Sequence, residues 1–212
     1  MTELVKFKNS QSLRSFDKMV DIMQQKKNKM EKGLSLIEAS MVLALSAIVV
    51  SGVMFYYQSA SDSNKTQNTV SQVMSVMSAI NGLYVGQASY AGLTDDVLYN
   101  SSAVPENYKD KTKNKINNPF GGELKVASNG GGYTLTLNGV PKSSCVNIAS
   151  MNLGTSLQGV GVGVTNLNTA LVPVALNGGT PAQSKVYSGT LTPANAATLC
   201  SGVTNSITFL MK

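Results

Sequence analysis

The chain has 212 residues, of which 42% are hydrophobic and only 13% are charged, a composition that excludes a charge-rich disordered protein. It contains no histidine and no tryptophan, and its two cysteines are too few for a four-thiolate metal site. A serine–histidine catalytic triad and histidine-ligated zinc are therefore excluded. The net charge of +6 is uneven, because residues 1–33 contribute +4 and residues 34–212 only +2. The basic balance therefore does not indicate nucleic acid as a partner.

A long apolar segment follows the basic N-terminus. Residues 39–61 carry no charge, and the apolar stretch 34–57 exceeds the roughly 20 helical residues that cross a bilayer. The excess of lysine before it places residues 1–33 in the cytoplasm and the chain after Tyr57 across the membrane. Two alternatives are a secretory signal peptide, whose apolar core is usually only about 7–15 residues, and a plain membrane anchor. The anchor gives no reason for Glu38, since a carboxylate within an apolar run is a functional-site hypothesis.

The junction between the basic and apolar parts resembles the processing site of type IV prepilins. Gly33 precedes the apolar Leu34, and Glu38 is the fifth residue after the glycine. Several longer runs resemble type IVb pilins of the bundle-forming kind, namely 31–38, 54–65, 78–84, 107–110 and 118–124. After about residue 125, only the surroundings of the cysteines and the last strand are similar.

The resemblance implies how the N-terminus is processed and used. A prepilin peptidase would cut between Gly33 and Leu34 and methylate the new amine of Leu34. In this family, the carboxylate corresponding to Glu38 pairs with the N-terminal amine of a neighbouring subunit and sets the axial register. An unpaired charge in an apolar bundle costs several kcal/mol, which would disfavour any other register.

Small side chains lie along one side of the same helix. Ser40, Ala44, Ala47 and Ser51 are spaced by four, three and four residues, a pattern that lets apolar helices approach closely. The alternative is that such residues are simply common in membrane helices.

After the membrane segment, the sequence predicts the amphipathic half of the same helix, ending near Tyr84. Its apolar positions step by three or four residues, at Val70, Val73, Met74, Met77, Ile80, Leu83 and Tyr84. Residues 86–122 are predicted as a long connection with a short helix at Asp95–Tyr99. Four lysines alternate with other residues in this connection: Lys109, Lys111, Lys113 and Lys115. This pattern favours a solvated loop that discourages strand pairing. The alternative is a basic patch that contacts an acidic patch on a neighbouring subunit.

The remainder is predicted as a β-rich head with two short helices. A hairpin is expected at 123–127 and 133–138, and a central strand at 206–211. One helix is predicted to start at Pro141 or Lys142 and to run to about Asn152, and another to start at Thr192 and Pro193. An irregular strand at 159–167 and a weakly patterned loop at 168–190 complete the predicted elements.

Cys145 and Cys200 are the only thiols in the sequence, and the predicted orientation places both outside the cytoplasm. A disulfide is the expected state there, with a pair of free thiols as the alternative. In type IVb pilins, the region between the two cysteines contacts neighbouring subunits. Here residues 146–199 are poor in charge, which favours subunit contact over catalysis.

Together these features predict an α+β type IV pilin fold: a long N-terminal helix packed on an antiparallel or mixed β-sheet head with one disulfide. The expected parts are a cleaved leader (1–33), a transmembrane and filament-core helix (34–58), the amphipathic half-helix (59–85) and the head (86–212). Within the head, residues 86–122 are the helix-to-sheet loop and residues 145–200 the disulfide-bounded region.

The predicted function is the major structural subunit of a bundle-forming type IVb pilus, used in adherence and autoaggregation. The subunit waits in the inner membrane with its head in the periplasm, and then enters an extracellular homo-oligomeric fibre. The expected partners are the prepilin peptidase and the pilus assembly machinery, with no cofactor, metal or nucleic acid. The alternatives are a minor pilin, a pseudopilin of type II secretion, and a membrane-tethered enzyme.

Overall fold

The computed structural model describes residues 3–102, 104–167 and 169–212, with side chains from Leu36 onward. The chain divides into two compact units, residues 1–58 and residues 59–212. Helix α1, Glu3–Leu83, contributes to both units. Its end lies one residue before the predicted end at Tyr84, so the prediction of one helix through the apolar and amphipathic segments is confirmed.

In the second unit, α1 buries a narrow stripe of side chains. Val73, Val76 and Ile80 are almost fully buried, as three- and four-residue steps on one helix face require. The predicted stripe is wrong at Met74 and Leu83, which are 45% and 49% exposed. Met74 lies about 100° around the helix from Val73, on the flank of the buried face, whereas Leu83 is the last residue of α1.

A seven-stranded sheet packs with the helices around a single main core. Its strands lie in the order β1-β2-β3-β4-β7-β5-β6, and all six pairings are antiparallel. The strands are β1 Lys109–Asp110, β2 Lys115–Asn117, β3 Glu123–Asn129, β4 Gly132–Pro141, β5 Leu157–Val162, β6 Val186–Ser188 and β7 Thr204–Met211. The C-terminal strand β7 lies between β4 and β5, which confirms the prediction of a central closing strand.

Three short helices accompany the sheet: α2 Asp95–Tyr99, α3 Lys142–Ala149 and α4 Pro193–Leu199. The helix α2 has the predicted bounds. At the start of α4, the Thr192 side chain accepts a hydrogen bond from the Asn195 amide at 3.3 Å, as expected for an N-cap followed by proline. The helix α3 ends at Ala149, so the prediction that it reaches Asn152 is wrong.

The predicted hairpin is confirmed but is longer than expected. Its strands β3 and β4 are joined by Gly130 and Gly131, and Gly130 has a φ of +57°, which glycine adopts without a steric penalty. The strands extend beyond the predicted ends, because the β3–β4 pairing continues to Asn129 and Gly132 and the β4–β7 pairing continues to Pro141.

Two loop predictions and one strand prediction are wrong in detail. The lysine-rich part of 86–122 forms strands β1 and β2, and the predicted loop 168–190 contains β6. The predicted irregular strand 159–167 corresponds to β5, which starts earlier and ends at Val162. Strands β1, β2 and β6 have only two or three residues and are too short to show an apolar alternation, so neighbouring strands rather than local sequence define them.

Candidate assembly segment and disulfide-bounded region

The apolar helical segment, defined here as residues 36–58, is exposed along its whole length. Its large side chains include Phe55 and Tyr56, each 77% exposed. By length and composition, α1 contains one helical stretch apolar enough to cross a membrane. An apolar surface of this size on a soluble monomer would be unusual, and it marks a lipid or protein contact.

Glu38 is the only charged residue of the apolar helical segment, and its side chain is exposed among apolar neighbours. Among the residues described from Leu36 onward, no cationic side chain pairs with it. Gly33 and Leu34, the predicted processing site, lie outside the residues whose side chains the structure describes. The predicted pairing of Glu38 with a neighbour's Leu34 amine therefore stays a prediction.

The serine hydroxyls of this segment are satisfied within the helix itself. Ser40 donates to the Ile37 carbonyl oxygen at 2.8 Å, and Ser51 donates to that of Ala47 at 2.8 Å. Ser46, which the sequence interpretation did not single out, donates to that of Leu43 at 3.0 Å. These three hydroxyls leave no unpaired donor, so they can enter an apolar environment without losing a hydrogen bond.

The predicted disulfide is formed. Cys145 in α3 and Cys200 directly after α4 are bonded, with a Cα–Cα distance of 5.9 Å, and both residues are fully buried. The bond therefore fastens the two short helices together beneath the surface. The alternative of two free thiols is wrong.

The disulfide-bounded region is held to the sheet by a buried asparagine. The Asn129 side-chain amide donates to the carbonyl oxygens of Leu167 and Thr169 at 3.2 and 2.8 Å, and its oxygen accepts from the Leu171 amide at 2.9 Å. Leu167 and Leu171 also pack on a small apolar cluster beside the main core. The sequence interpretation missed Asn129 because an asparagine beside two glycines is a common turn residue.

The lysines of the helix-to-sheet connection do not form one patch. Lys109 Nζ lies 2.8 Å from Glu106 Oε1 and 5.5 Å from the Tyr99 ring centre, and its side chain is only 9% exposed. Lys115 instead pairs with Glu123 at 3.0 Å. The hydrogen bond from Lys109 lowers the pKa of Glu106. Lys109 thus has an acidic partner in its own chain, and the alternative in which the four lysines meet an acidic neighbour stays a prediction.

Within the described residues, no cluster of three or more histidine, cysteine, aspartate or glutamate side chains could hold a metal ion. The two features that stand out are structural: an exposed apolar helix with one carboxylate, and a cross-linked head.

The sequence profile of the Bundlin family matches residues 58–208. Two curated relatives, from Escherichia coli O111:H- and Escherichia coli O127:H6 (strain E2348/69 / EPEC), are major structural subunits of the bundle-forming pilus. Each is 55% identical over 190 residues, which cover 87% of this chain and 96% of the relative.

Among solved structures, a type IV pilin from Vibrio cholerae El Tor biotype has a similar fold. It aligns with a TM-score of 0.50 at 16% identity, covering 70% of this chain and 99% of that chain. The long N-terminal helix, antiparallel sheet and single disulfide therefore define a type IV pilin fold, which confirms the predicted fold class. Within that class, the chain belongs to the Bundlin family.

Proposed function

We propose that this chain is the major structural subunit of a bundle-forming type IVb pilus. The observation that carries the proposal is its 55% identity, along almost the whole length, to two subunits of that kind. The exposed apolar helical segment supports it, because a helix of this composition is completed by lipid or by other helices. The product of assembly is a homo-oligomeric fibre outside the cell, used in adherence, autoaggregation and bundling.

The proposed processing follows from the order of residues at the junction. A prepilin peptidase cuts after Gly33 and methylates Leu34, which leaves a subunit that begins with the apolar segment. The leader 1–33 keeps its excess of lysine in the cytoplasm, and the head of the subunit waits in the periplasm. The filament-core helix is then 34–58, the amphipathic half-helix 59–85 and the head 86–212, with the loop 86–122 and the disulfide-bounded region 145–200.

The proposed assembly contact is between Glu38 of one subunit and the methylated Leu34 amine of the next. Methylation keeps the amine cationic, so the pair is ionic. Both charges lie in an apolar setting, where each alone would cost several kcal/mol. Because no cationic side chain among the residues described from Leu36 onward meets Glu38, that carboxylate is available to a neighbour. The assembly machinery of the inner membrane supplies the subunits.

Mass spectrometry of sheared surface fibres tests the proposal. We expect this chain to be the most abundant protein in them, with N-methyl-leucine at Leu34 as its first residue. A low copy number in fibres built from another pilin would indicate a minor subunit instead. A mature N-terminus near Asp62 would indicate a cleaved signal peptide and would contradict the pilus assignment.

A further inference from the structure

Strand β3 uses only part of one edge for strand pairing. Its edge toward β4 is paired from Leu124 to Asn129. On the other edge, β2 meets only Leu124 and Glu123, the first two residues of β3. The amides of Val126 and Ser128 lie beyond that contact and have no neighbouring strand. An edge with unpaired amides is a template for strand addition by another chain.

Two groups from the helix-to-sheet connection take these amides. The Asp95 carboxylate oxygen Oδ1 accepts a hydrogen bond from the Val126 amide. Two residues earlier, the Leu93 carbonyl oxygen accepts from the Ser128 amide at 3.3 Å. A side-chain oxygen and a main-chain oxygen thus occupy the positions where a further strand would place its carbonyls.

Buried anchors hold this stretch in position. Leu93 and Leu98 are 2% and 0% exposed, one on each side of Asp95. Tyr90 packs its ring 4.8 Å from that of Tyr133 on β4. Gly92 has a φ of +79°, so the chain turns sharply just before Leu93. Residues 93–95 are therefore fixed against β3 by core packing as well as by the two hydrogen bonds.

The other sheet edges are closed in different ways. Strand β1 has only two residues, which is too short to template a strand. At the opposite edge, Val174 bridges β6, donating to the Val186 carbonyl oxygen and accepting from the Ser188 amide, and Pro173 beside it has no amide hydrogen. The third unpaired edge is the part of β3 beyond Leu124, and there the Asp95 side chain accepts the hydrogen bond from Val126.

We propose that residues 93–95 are an edge guard, in which the Asp95 carboxylate keeps the free half of β3 from pairing with the same edge of a second copy of this chain. Two identical strand edges are self-complementary, because they can pair antiparallel about a twofold axis. Pairing of this kind would draw subunits into closed dimers, whereas a fibre requires a repeating contact that does not close. The guard therefore lets subunits reach a high local concentration without pairing along the free half of β3.

The acceptor oxygen and the charge of Asp95 can be tested separately. Burial raises the pKa of this carboxyl, and the nearby Glu123 and Asp96 raise it further, while the Val126 amide and Lys125 lower it. A neutral side chain with an oxygen at the same place would still accept from Val126. Asp95→Asn keeps that oxygen and Asp95→Ala removes it, so the two variants separate the hydrogen bond from the charge.

The test is amide hydrogen exchange on the full chain in detergent micelles, with Asp96→Ala as the matched control. Asp96 is the next residue of α2, has the same charge and is exposed. In Asp95→Ala, we expect the Val126 amide to exchange about tenfold faster, the factor that corresponds to one ordinary hydrogen bond. Asp95→Asn and Asp96→Ala should keep the protection of the unmodified chain. In sedimentation at matched concentration, only Asp95→Ala should gain dimer.

Several results would overturn the proposal. Unchanged Val126 exchange in Asp95→Ala would show that the carboxylate protects nothing, and equal acceleration in Asp96→Ala would show a general loosening of α2. If the Val126 amide exchanges faster in Asp95→Ala but no dimer forms, Asp95 does not prevent strand pairing between subunits. If Asp95→Ala does not fold, Asp95→Asn decides the question, because fast exchange or extra dimer in that variant contradicts a role for the acceptor oxygen.

Discussion

The apolar helical segment exposes its apolar side chains, whereas the head, residues 86–212, buries most of its own. From Leu36 to Gln58 every side chain is exposed, including aromatic rings. In the head, large residues such as Tyr133, Phe209 and Leu137 are fully buried. The head thus completes its own core, whereas the segment has a surface that only lipid or other chains can cover. The residues that fold the head and the residues that need a covering surface thus lie in different parts of the sequence.

Because of this difference, fibre formation and the stability of the head can be tested separately. A substitution in the apolar helical segment should change fibre formation and leave the stability of the head unchanged. A substitution in the head should change its free energy of unfolding first, and affect fibres only through the supply of folded subunit.

The largest effect is expected from Glu38→Ala. Without this carboxylate, the Leu34 amine of an incoming subunit would enter an apolar bundle unpaired, at a cost of several kcal/mol. Electron microscopy should show few or no fibres on this variant and normal numbers on the parent strain. Immunoblots should still detect cleaved subunit in the membrane, and the denaturation midpoint of the head should not change.

Two controls sharpen this prediction. Glu38→Gln keeps the size and an acceptor oxygen but loses the charge, so it should assemble poorly, though less poorly than Glu38→Ala. Gly33→Leu should instead block cleavage and leave the leader attached. Fibres at parental density in Glu38→Ala, or a defect traced to failed cleavage, would contradict the assembly role.

The next largest effect belongs to the head and concerns its disulfide. Cys145→Ser opens a link between residues 55 positions apart, and chain entropy gives such a link a stabilisation of about 4 kcal/mol. Subunit levels should fall before assembly is reached, as measured by immunoblot and by urea denaturation of purified protein. The double variant Cys145→Ser/Cys200→Ser is the control, since it removes the unpaired thiol. Parental stability in the double variant would show that the link does not stabilise the head.

A smaller effect with the opposite sign is expected at Tyr133. Its hydroxyl oxygen is buried, and no hydrogen-bond partner for it is found among the described residues. Removing an unsatisfied buried hydroxyl should stabilise the head, so Tyr133→Phe should raise the free energy of unfolding by about 1 kcal/mol.

Tyr187 provides the matched control. Its hydroxyl accepts from the Ala182 amide at 2.7 Å and donates to the Ala182 carbonyl oxygen at 3.2 Å. Tyr187→Phe should therefore lower the free energy of unfolding by about 1 kcal/mol. Equal shifts of the two variants in urea denaturation would mean that the hydroxyl of Tyr133 has a partner.

The smallest effect is a pH dependence that originates at Asp95. Burial raises the pKa of this carboxyl above its ordinary value of 3.8. The folded head therefore binds a proton more readily than the unfolded chain, so this group favours folding most below about pH 4 and less as the pH rises through its folded pKa. Asp95→Asn should lose this decline and be at least as stable as the parent at pH 7. Parallel stability curves of the two proteins between pH 3 and pH 7 would contradict the raised pKa.

Sequence alone was sufficient where a pattern repeats over several turns or where one residue type has one dominant use. The apolar run with Glu38, the cap at Thr192 and the glycine pair of the hairpin all had strong local signals. The disulfide followed from the presence of only two cysteines on the predicted outer side of the membrane. The central position of β7 followed from its continuous apolar character.

The parts that could not be predicted depend on contacts between distant residues. Strands β1, β2 and β6 are too short to carry a periodic signal, and pairing partners define them. Asparagine and aspartate are common in loops, so the sequence does not single out Asn129 or Asp95. Their roles depend on hydrogen bonds to segments that are distant in the sequence. The periodicity predicts Met74 in the core because it indicates which face of the helix is buried, but not how wide the buried part of that face is.

The disulfide also has a mechanical consequence. When a filament is pulled, any subunit that yields can release only the chain that lies outside its covalent loop. The 55 positions between Cys145 and Cys200 would contribute roughly 190 Å of contour length if they were free to extend. The bond removes that slack, because tension that reaches Cys145 passes directly to Cys200 and on to β7. A partly unravelled head would therefore stay short, with the strand at the centre of its sheet still connected to the load.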